Sequence, residues 1–176
     1  MTKKELGIAI YDCSHITGEF LLRSGNISNE YFDKYQFESD PKLLEAIAES
    51  LAELLPDEFD LLAGLEVGGI PIATALSLKT GKPVVFVRKK AKEHGTCKLA
   101  EGTSVKGKKI VVIEDVVTSG GQVVISTADL RAEGAVIELA LCVIDRESGG
   151  AESLKDSNIE LKSLFTMSEL KSYKSL

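Results

Sequence analysis

Two carboxylates, Glu114 and Asp115, stand side by side after the apolar run Ile110-Val111-Val112-Ile113 and shortly before Thr118-Ser119-Gly120-Gly121-Gln122. Backbone N–H groups in a Thr-Ser-Gly-Gly turn can close on a phosphate because glycine carries no side chain, and a helix starting there presents its positive end. The hydroxyls of Thr118 and Ser119 add donors. Acids beside such an anion cradle can accept hydrogen bonds from sugar hydroxyls or stabilise positive charge developing at a ribose carbon. A phosphoribosyl group meets both demands. Taken singly, the acids read as a solvated strand end and the glycines as a plain turn; their conjunction favours the cradle.

A second cluster, Arg88-Lys89-Lys90-Ala91-Lys92-Glu93-His94-Gly95-Thr96, opens a polar segment over 88–108 that is rich in lysine and glycine. About 20 residues is longer than a compact domain usually tolerates without a functional reason, so the segment reads as a mobile lid. Lysines alone usually mark a solvated surface. Arg88 and His94 turn that reading towards a site for an anion. Gly64, Gly68 and Gly69 are followed by neither Gly-Lys-Ser/Thr nor a G-x-G-x-x-G pattern, so neither a P-loop nor a dinucleotide fingerprint is present. His15 reads as structural or incidental, Cys142 as core, and Cys97 as a thiol beside the lid.

The elements that must position these groups follow from the apolar patterning. Runs at 59–63, 83–87, 110–113 and 136–144 read as strands buried on both faces. Asp40 as N-cap and Pro41 at the first helical position start a helix that Pro56 ends; further helices are expected over 69–80, stopped by Gly81, and over 121–133, stopped by Gly134. Strand and helix alternate, which predicts an α/β fold: a mostly parallel sheet flanked by helices, with ligands at the carboxyl ends of the strands. Ile159 to Phe165 is expected to add an edge strand. Residues 17–37 mix glycine, serine and aromatics and read as an irregular strand pair or hood.

The 176 residues, 44% apolar and 27% charged, fit one domain over 1–176. Three cysteines, an odd number without C-x-x-C spacing, support neither a disulfide framework nor a zinc cluster and point to a reducing, cytoplasmic setting. The N-terminal apolar run is too short for a signal peptide, and no membrane partner is expected. A net charge of −6 argues against nucleic acid as a partner.

The stretch from Ile110 to Gln122 resembles the PRPP-binding motif of type I phosphoribosyltransferases. The lid from Arg88 to Thr96 is similar to the catalytic loop of orotate phosphoribosyltransferases, Glu66-Val67-Gly68-Gly69-Ile70-Pro71 to their pyrophosphate loop, and Asp145-Arg146-Glu147 to their D-R-x-E element. Phe20 to Gly25, then Ser28 and Tyr31, resemble their substrate hood, expected here over about 15–37 together with a C-terminal tail. The resemblance spans about residues 15–170 in the family's own order.

This resemblance implies the type I phosphoribosyltransferase fold and transfer of a phosphoribosyl group from PRPP to orotate. It implies that Glu114 and Asp115 bind the ribose hydroxyls. Val116, Val117, Thr118, Ser119, Gly120, Gly121 and Gln122 would line the PRPP site, the run from Val117 holding its 5′-phosphate. Arg88, Lys89, Lys92 and His94 would grip the pyrophosphate, with Lys92 and His94 acting in catalysis beside the acids. Thr118, Arg146 and Arg23 would contact orotate. Mg²⁺ would ride on PRPP and pyrophosphate oxygens without direct protein ligands, and a homodimer would share the catalytic loop across its interface.

Departures from the family are Arg23 and Gly68, where many bacterial members carry lysine, and Glu30, which is often aromatic. Transfer to a purine base and a PRPP-sensing regulator stand as the alternatives.

Overall fold

The computed structural model describes residues 1–21, 25–91 and 98–174. Arg23, Lys92, His94 and Cys97 lie outside the described residues. The first helix, α1 (Lys3–Ser14), is an element that the apolar spacing does not announce. Thr2 Oγ1 accepts from Glu5 N at 3.2 Å while Glu5 Oε2 accepts from Thr2 N at 2.7 Å, a reciprocal box that satisfies two donors at the helix start. Leu6 and Ile10 bury its inner face.

An antiparallel ribbon follows, β1 (His15–Leu21) and β2 (Ile27–Phe32), with a register shift between Thr17 and Phe20. With the five-residue α2 (Tyr35–Ser39) it fills the span expected to form a hood. Asp40 caps α3 (Pro41–Ala52) as the spacing predicts, its Oδ1 accepting from Lys42 N at 2.9 Å and Leu43 N at 3.1 Å. The helix stops at Ala52, short of Pro56, in turns such as Leu54 N to Leu51 O.

Next come β3 (Leu61–Leu65), α4 (Gly69–Thr80), β4 (Val84–Val87) and β5 (Ala100–Glu101). The chain then alternates through β6 (Lys109–Val117), α5 (Gly121–Ala132), β7 (Val136–Asp145), α6 (Gly150–Asp156), β8 (Glu160–Thr166) and α7 (Met167–Ser172). The main sheet has the order β5-β4-β3-β6-β7-β8; every pairing is parallel except β4 with β5. The strand expected at 59–63 lies two residues later. Asp60 is spent as a lead-in, its carboxylate accepting from Lys109 N at 2.8 Å.

Part of the lid expected over 88–108 belongs to the body of the domain. Leu99, Ala100 and Val105 are buried, and Ala100–Glu101 pairs with Phe86–Val87. The sheet is covered on both faces, which is why its strands are apolar throughout rather than alternating. Leu6, Ile10, Phe37, Ile47, Leu51 and Leu76 pack on the side of Val111 and Ile113. On the other side Val123, Leu130, Leu154 and Ile159 meet Val112, Ala140 and Cys142.

The two ends of the chain close against each other. Gly7 lets α7 lie on α1, since a Cβ there would be 2.7 Å from Tyr173 Cε2. Glu169 Oε1 accepts from Tyr173 Oη at 2.6 Å and pairs with Lys3 Nζ at 3.1 Å; Lys174 Nζ pairs with Asp12 at 2.6 Å.

Candidate functional site

β6 continues past its apolar half. Glu114 is in register with Cys142, Val116 with Ile144 and Val117 with Asp145, so the acid pair sits inside the paired strand rather than after it. This places both carboxylates at the carboxyl end of the sheet, where α/β folds bind ligands. Asp115 is 1% exposed and ion-paired through Oδ2 with Lys34 Nζ; its Oδ1 accepts from Val116 N. Glu114 Oε1 accepts from Asp115 N at 3.0 Å.

The two acids titrate apart. Burial, then the Asp115 charge, pushes Glu114 well above the ordinary carboxylate range. Burial also works against the Asp115 anion, but its contacts with Glu114, Lys34 and Glu38, together with the Lys34 charge, outweigh it and lower its pKa. Burial opposes the Lys34 cation as well, yet Asp115 holds its pKa above the ordinary lysine value. The Asp115 anion and the Lys34 cation therefore face each other among carboxyl groups whose burial favours the neutral form.

Beyond Val117 the chain turns through Thr118 and Ser119, both exposed, into Gly120, which has φ +76° and leads into α5. A Cβ at Gly120 would lie 2.5 Å from Leu154 Cδ1, so glycine is required by both conformation and space. Gln122 Nε2 donates to Ser126 Oγ at 3.0 Å, which turns that side chain back along the helix. A cavity of about 330 Å³ is walled by this loop, both acids, Lys34, Tyr35, Glu66, Val67 and Lys89. The Lys89 backbone N–H donates to Glu66 Oε1. Arg88 instead pairs with Glu101, Nε to Oε1 at 3.4 Å, and is not part of this wall.

A second cavity, about 350 Å³, adjoins the first, and the two share Lys34, Val116 and Thr118. Arg146 enters it from the end of β7, anchored by its N–H on Val117 O at 2.9 Å. Asp145 Oδ1 accepts from Glu147 N, and Glu147 Oε2 from Ser168 N, each at 2.8 Å, so the Asp-Arg-Glu turn is tied to α7. The hood contributes Ser28, Glu30 and Tyr31; α1 contributes Tyr11; α7 and the residue before its end contribute Met167 and Lys171.

The structure thus brings Glu114, Asp115, residues 116–122 and Lys89 to one cavity and Arg146 with Thr118 to its neighbour. Sequence reasoning passed over Lys34 and Glu38, which carry no spacing signal. It also set His15 aside, whereas His15 lines the second cavity, stacks on Tyr11 at 4.9 Å between ring centroids and pairs with Glu30 at 2.8 Å. That contact holds the Glu30 carboxyl below its ordinary range. Among the described residues no three His, Cys, Asp or Glu side chains gather as a metal site, and no helix is long and apolar enough to cross a membrane.

Residues 35–166 match the phosphoribosyl transferase domain. The chain is 53% identical over 155 residues to orotate phosphoribosyltransferase of Nocardioides sp., covering 88% of this chain and 87% of the relative. Identity to that of Methanocella arvoryzae is 45%, covering 89% and 90%. Mycobacterium tuberculosis orotate phosphoribosyltransferase in complex with PRPP superposes with a TM-score of 0.82 at 25% identity, covering 96% of this chain and 98% of the other. The Aeropyrum pernix enzyme gives 0.85 at 29%, covering 97% and 98%.

Proposed function

Because the chain belongs to the orotate phosphoribosyltransferase family, transferring the phosphoribosyl group of PRPP to orotate to give orotidine 5′-monophosphate and pyrophosphate in pyrimidine biosynthesis, we propose the following division of labour in its two cavities. PRPP occupies the first, its 5′-phosphate on the N–H groups of 117–122 at the start of α5 and its ribose hydroxyls on Glu114 and Asp115. Orotate occupies the second, its carboxylate on the Arg146 guanidinium, which can present a planar fork, with Thr118 at the junction.

The observation that carries this reading is the shared wall. A donor loop and a buried carboxylate lie in one cavity, an arginine in the next, and Thr118 and Val116 bound both. Orotate N1, giving up its proton, bonds to ribose C1 as the C1–O bond to pyrophosphate breaks. Charge at C1 rises in the transition state, so the buried Asp115 anion stabilises it while the loop fixes orientation. The displacement requires no covalent nucleophile.

Lys89 reaches the pyrophosphate side of the cavity, and Lys92 and His94 are assigned to the same leaving group, His94 supplying a proton. Arg88 joins them only after exchanging Glu101 for the pyrophosphate. Arg23 is assigned to the orotate side. Mg²⁺ would be held by PRPP oxygens with no residue of this chain as a direct ligand, and would supply neutralisation of the pyrophosphate charge. We assign a homodimer with the catalytic loop completing the partner's site, and a cytoplasmic setting.

The test is a base panel with PRPP: orotate, uracil, adenine, guanine and xanthine, each scored by pyrophosphate release. Turnover of orotate alone is expected. Turnover of a purine without orotate, or tight nucleic-acid binding without pyrophosphate release, overturns the reading.

A further inference from the structure

Glu38, on α2, is a third acid at the base of the first cavity that the reaction as described does not use. It is 6% exposed, although an acid is rarely buried without a partner. Its Oε1 and Asp115 Oδ2 are both buried and neither receives an aligned hydrogen bond; Asp115 Oδ2 has only its ion pair with Lys34. Both oxygens crowd one point beside Gly68, where a Cβ would lie 1.7 Å from Asp115 Oδ2 and 2.7 Å from Glu38 Oε1. The missing side chain at Gly68 is what lets the two carboxyl groups meet.

Two bare carboxylate oxygens repel when forced together out of water, and one proton between them converts the repulsion into a strong hydrogen bond. The groups facing Glu38 are Asp115 from β6 and, from the turn before α2, Lys34 and Asp33; Glu114 reaches the cluster through Asp115. One lysine cannot neutralise them all. We propose that Glu38 is a positioning residue: it keeps its proton, donates it to Asp115 Oδ2, and with Lys34 holds that carboxylate as the anion aimed at the ribose.

This rests on the assignment of Asp115 to the ribose. Burial, followed by the hydrogen bond and charge of Asp115, raises the Glu38 pKa to about 8, so the proton is held at neutral pH and lost just above it. Once it is lost, Asp115 faces an uncompensated like charge, and its geometry degrades.

The experiment compares the wild type with Glu38→Gln and Glu38→Leu across about pH 6 to 9.5. The amide of Gln still donates to Asp115 but cannot titrate, whereas Leu neither donates nor titrates. Infrared difference spectra of ligand-free wild type minus Glu38→Gln read the protonated carboxyl directly. A protonated C=O band belonging to Glu38 is expected at about pH 7 and absent at about 9.5. Over the same interval wild-type kcat/KM for PRPP falls roughly thirtyfold, as expected for one essential proton on a group titrating at about 8, while Glu38→Gln stays within about threefold of its neutral value. Glu38→Leu loses at least about tenfold in kcat/KM for PRPP with the KM for orotate little moved. A missing band at pH 7, or an alkaline fall in Glu38→Gln equal to that of the wild type, overturns the proposal. Should the wild type not use PRPP at all, the functional reading fails, and the band still reports on Glu38.

Discussion

Lys34 Nζ is ion-paired with the buried Asp115 Oδ2, and the same lysine stands in the wall of both cavities. A single side chain from the hood thereby touches the acid assigned to ribose and the space assigned to the base. Lys34→Met is expected to leave Asp115 without a counter-charge. The cost should be about 2 kcal/mol, between that of exposed and fully buried pairs, because Lys34 is partly solvated. The kcat/KM for PRPP and for orotate should fall together. Urea unfolding and two-substrate kinetics check both, and an unaltered orotate KM would remove Lys34 from the base side.

Asp115→Asn should cut kcat by about 10²-fold or more, the size of losing one preorganised electrostatic contact, with far less effect on the unfolding midpoint. Mixed with Lys92→Ala subunits, equally inactive alone, it should recover part of the activity, because in the proposed homodimer a hybrid would carry one intact composite site. No recovery after verified subunit exchange would count against a loop acting across an interface.

Arg146→Lys keeps the charge and loses the fork. The KM for orotate should rise about tenfold, corresponding to about 1.4 kcal/mol, with the KM for PRPP nearly constant. Steady-state kinetics varying each substrate in turn measures this.

Gly68→Ala adds one methyl where Asp115 Oδ2 already lies, so the carboxylate must move. The backbone conformation at Gly68 is an ordinary helical one, φ −69°, and imposes no penalty of its own. Activity is therefore expected to fall more than stability. Gly120→Ala should do both, because its φ of +76° and the contact with Leu154 each resist a side chain. Thermal unfolding and kcat/KM for PRPP separate the two cases.

Stability of the ligand-free protein should fall as pH rises from about 4.5 to about 8 and level off above that. Glu38 has a folded pKa of about 8 against an ordinary 4.5, so between these values the native state holds a proton that the unfolded chain has released. Its contribution is complete below the lower value and lost through the upper one. Asp115, lowered from 3.8, acts oppositely and is lost only in acid. A Tm series from about pH 6 to 9 should decline in the wild type and flatten in Glu38→Gln.

The fold was legible where local chemistry decides it. Asp40 and Pro41 define the start of α3, Gly81 the stop after α4, and the apolar runs at 83–87 and 110–113 lie where strands form. The full reach of β6 was not, because Glu114 and Asp115 break its apolar pattern and only pairing with β7 carries it to Val117. α1 escaped because its apolar stripe is weak, although Thr2 and Glu5 stand at the spacing of a capping box. That residues 116–122 wall one cavity was legible because they are contiguous. Lys34, Glu38 and His15 were not: each meets its partner through tertiary packing, with no local repeat or spacing to mark it.

The closure of α7 on α1 lets these two helices shape the second cavity, the space assigned to the base. Tyr11 and Lys171 both border the space assigned to the base, and Glu169 ties their helices through Lys3 and Tyr173. A bulky affinity tag ahead of Lys3, or trimming back into α7, would therefore behave as an active-site lesion, changing how the enzyme grips its pyrimidine while leaving the distant sheet intact.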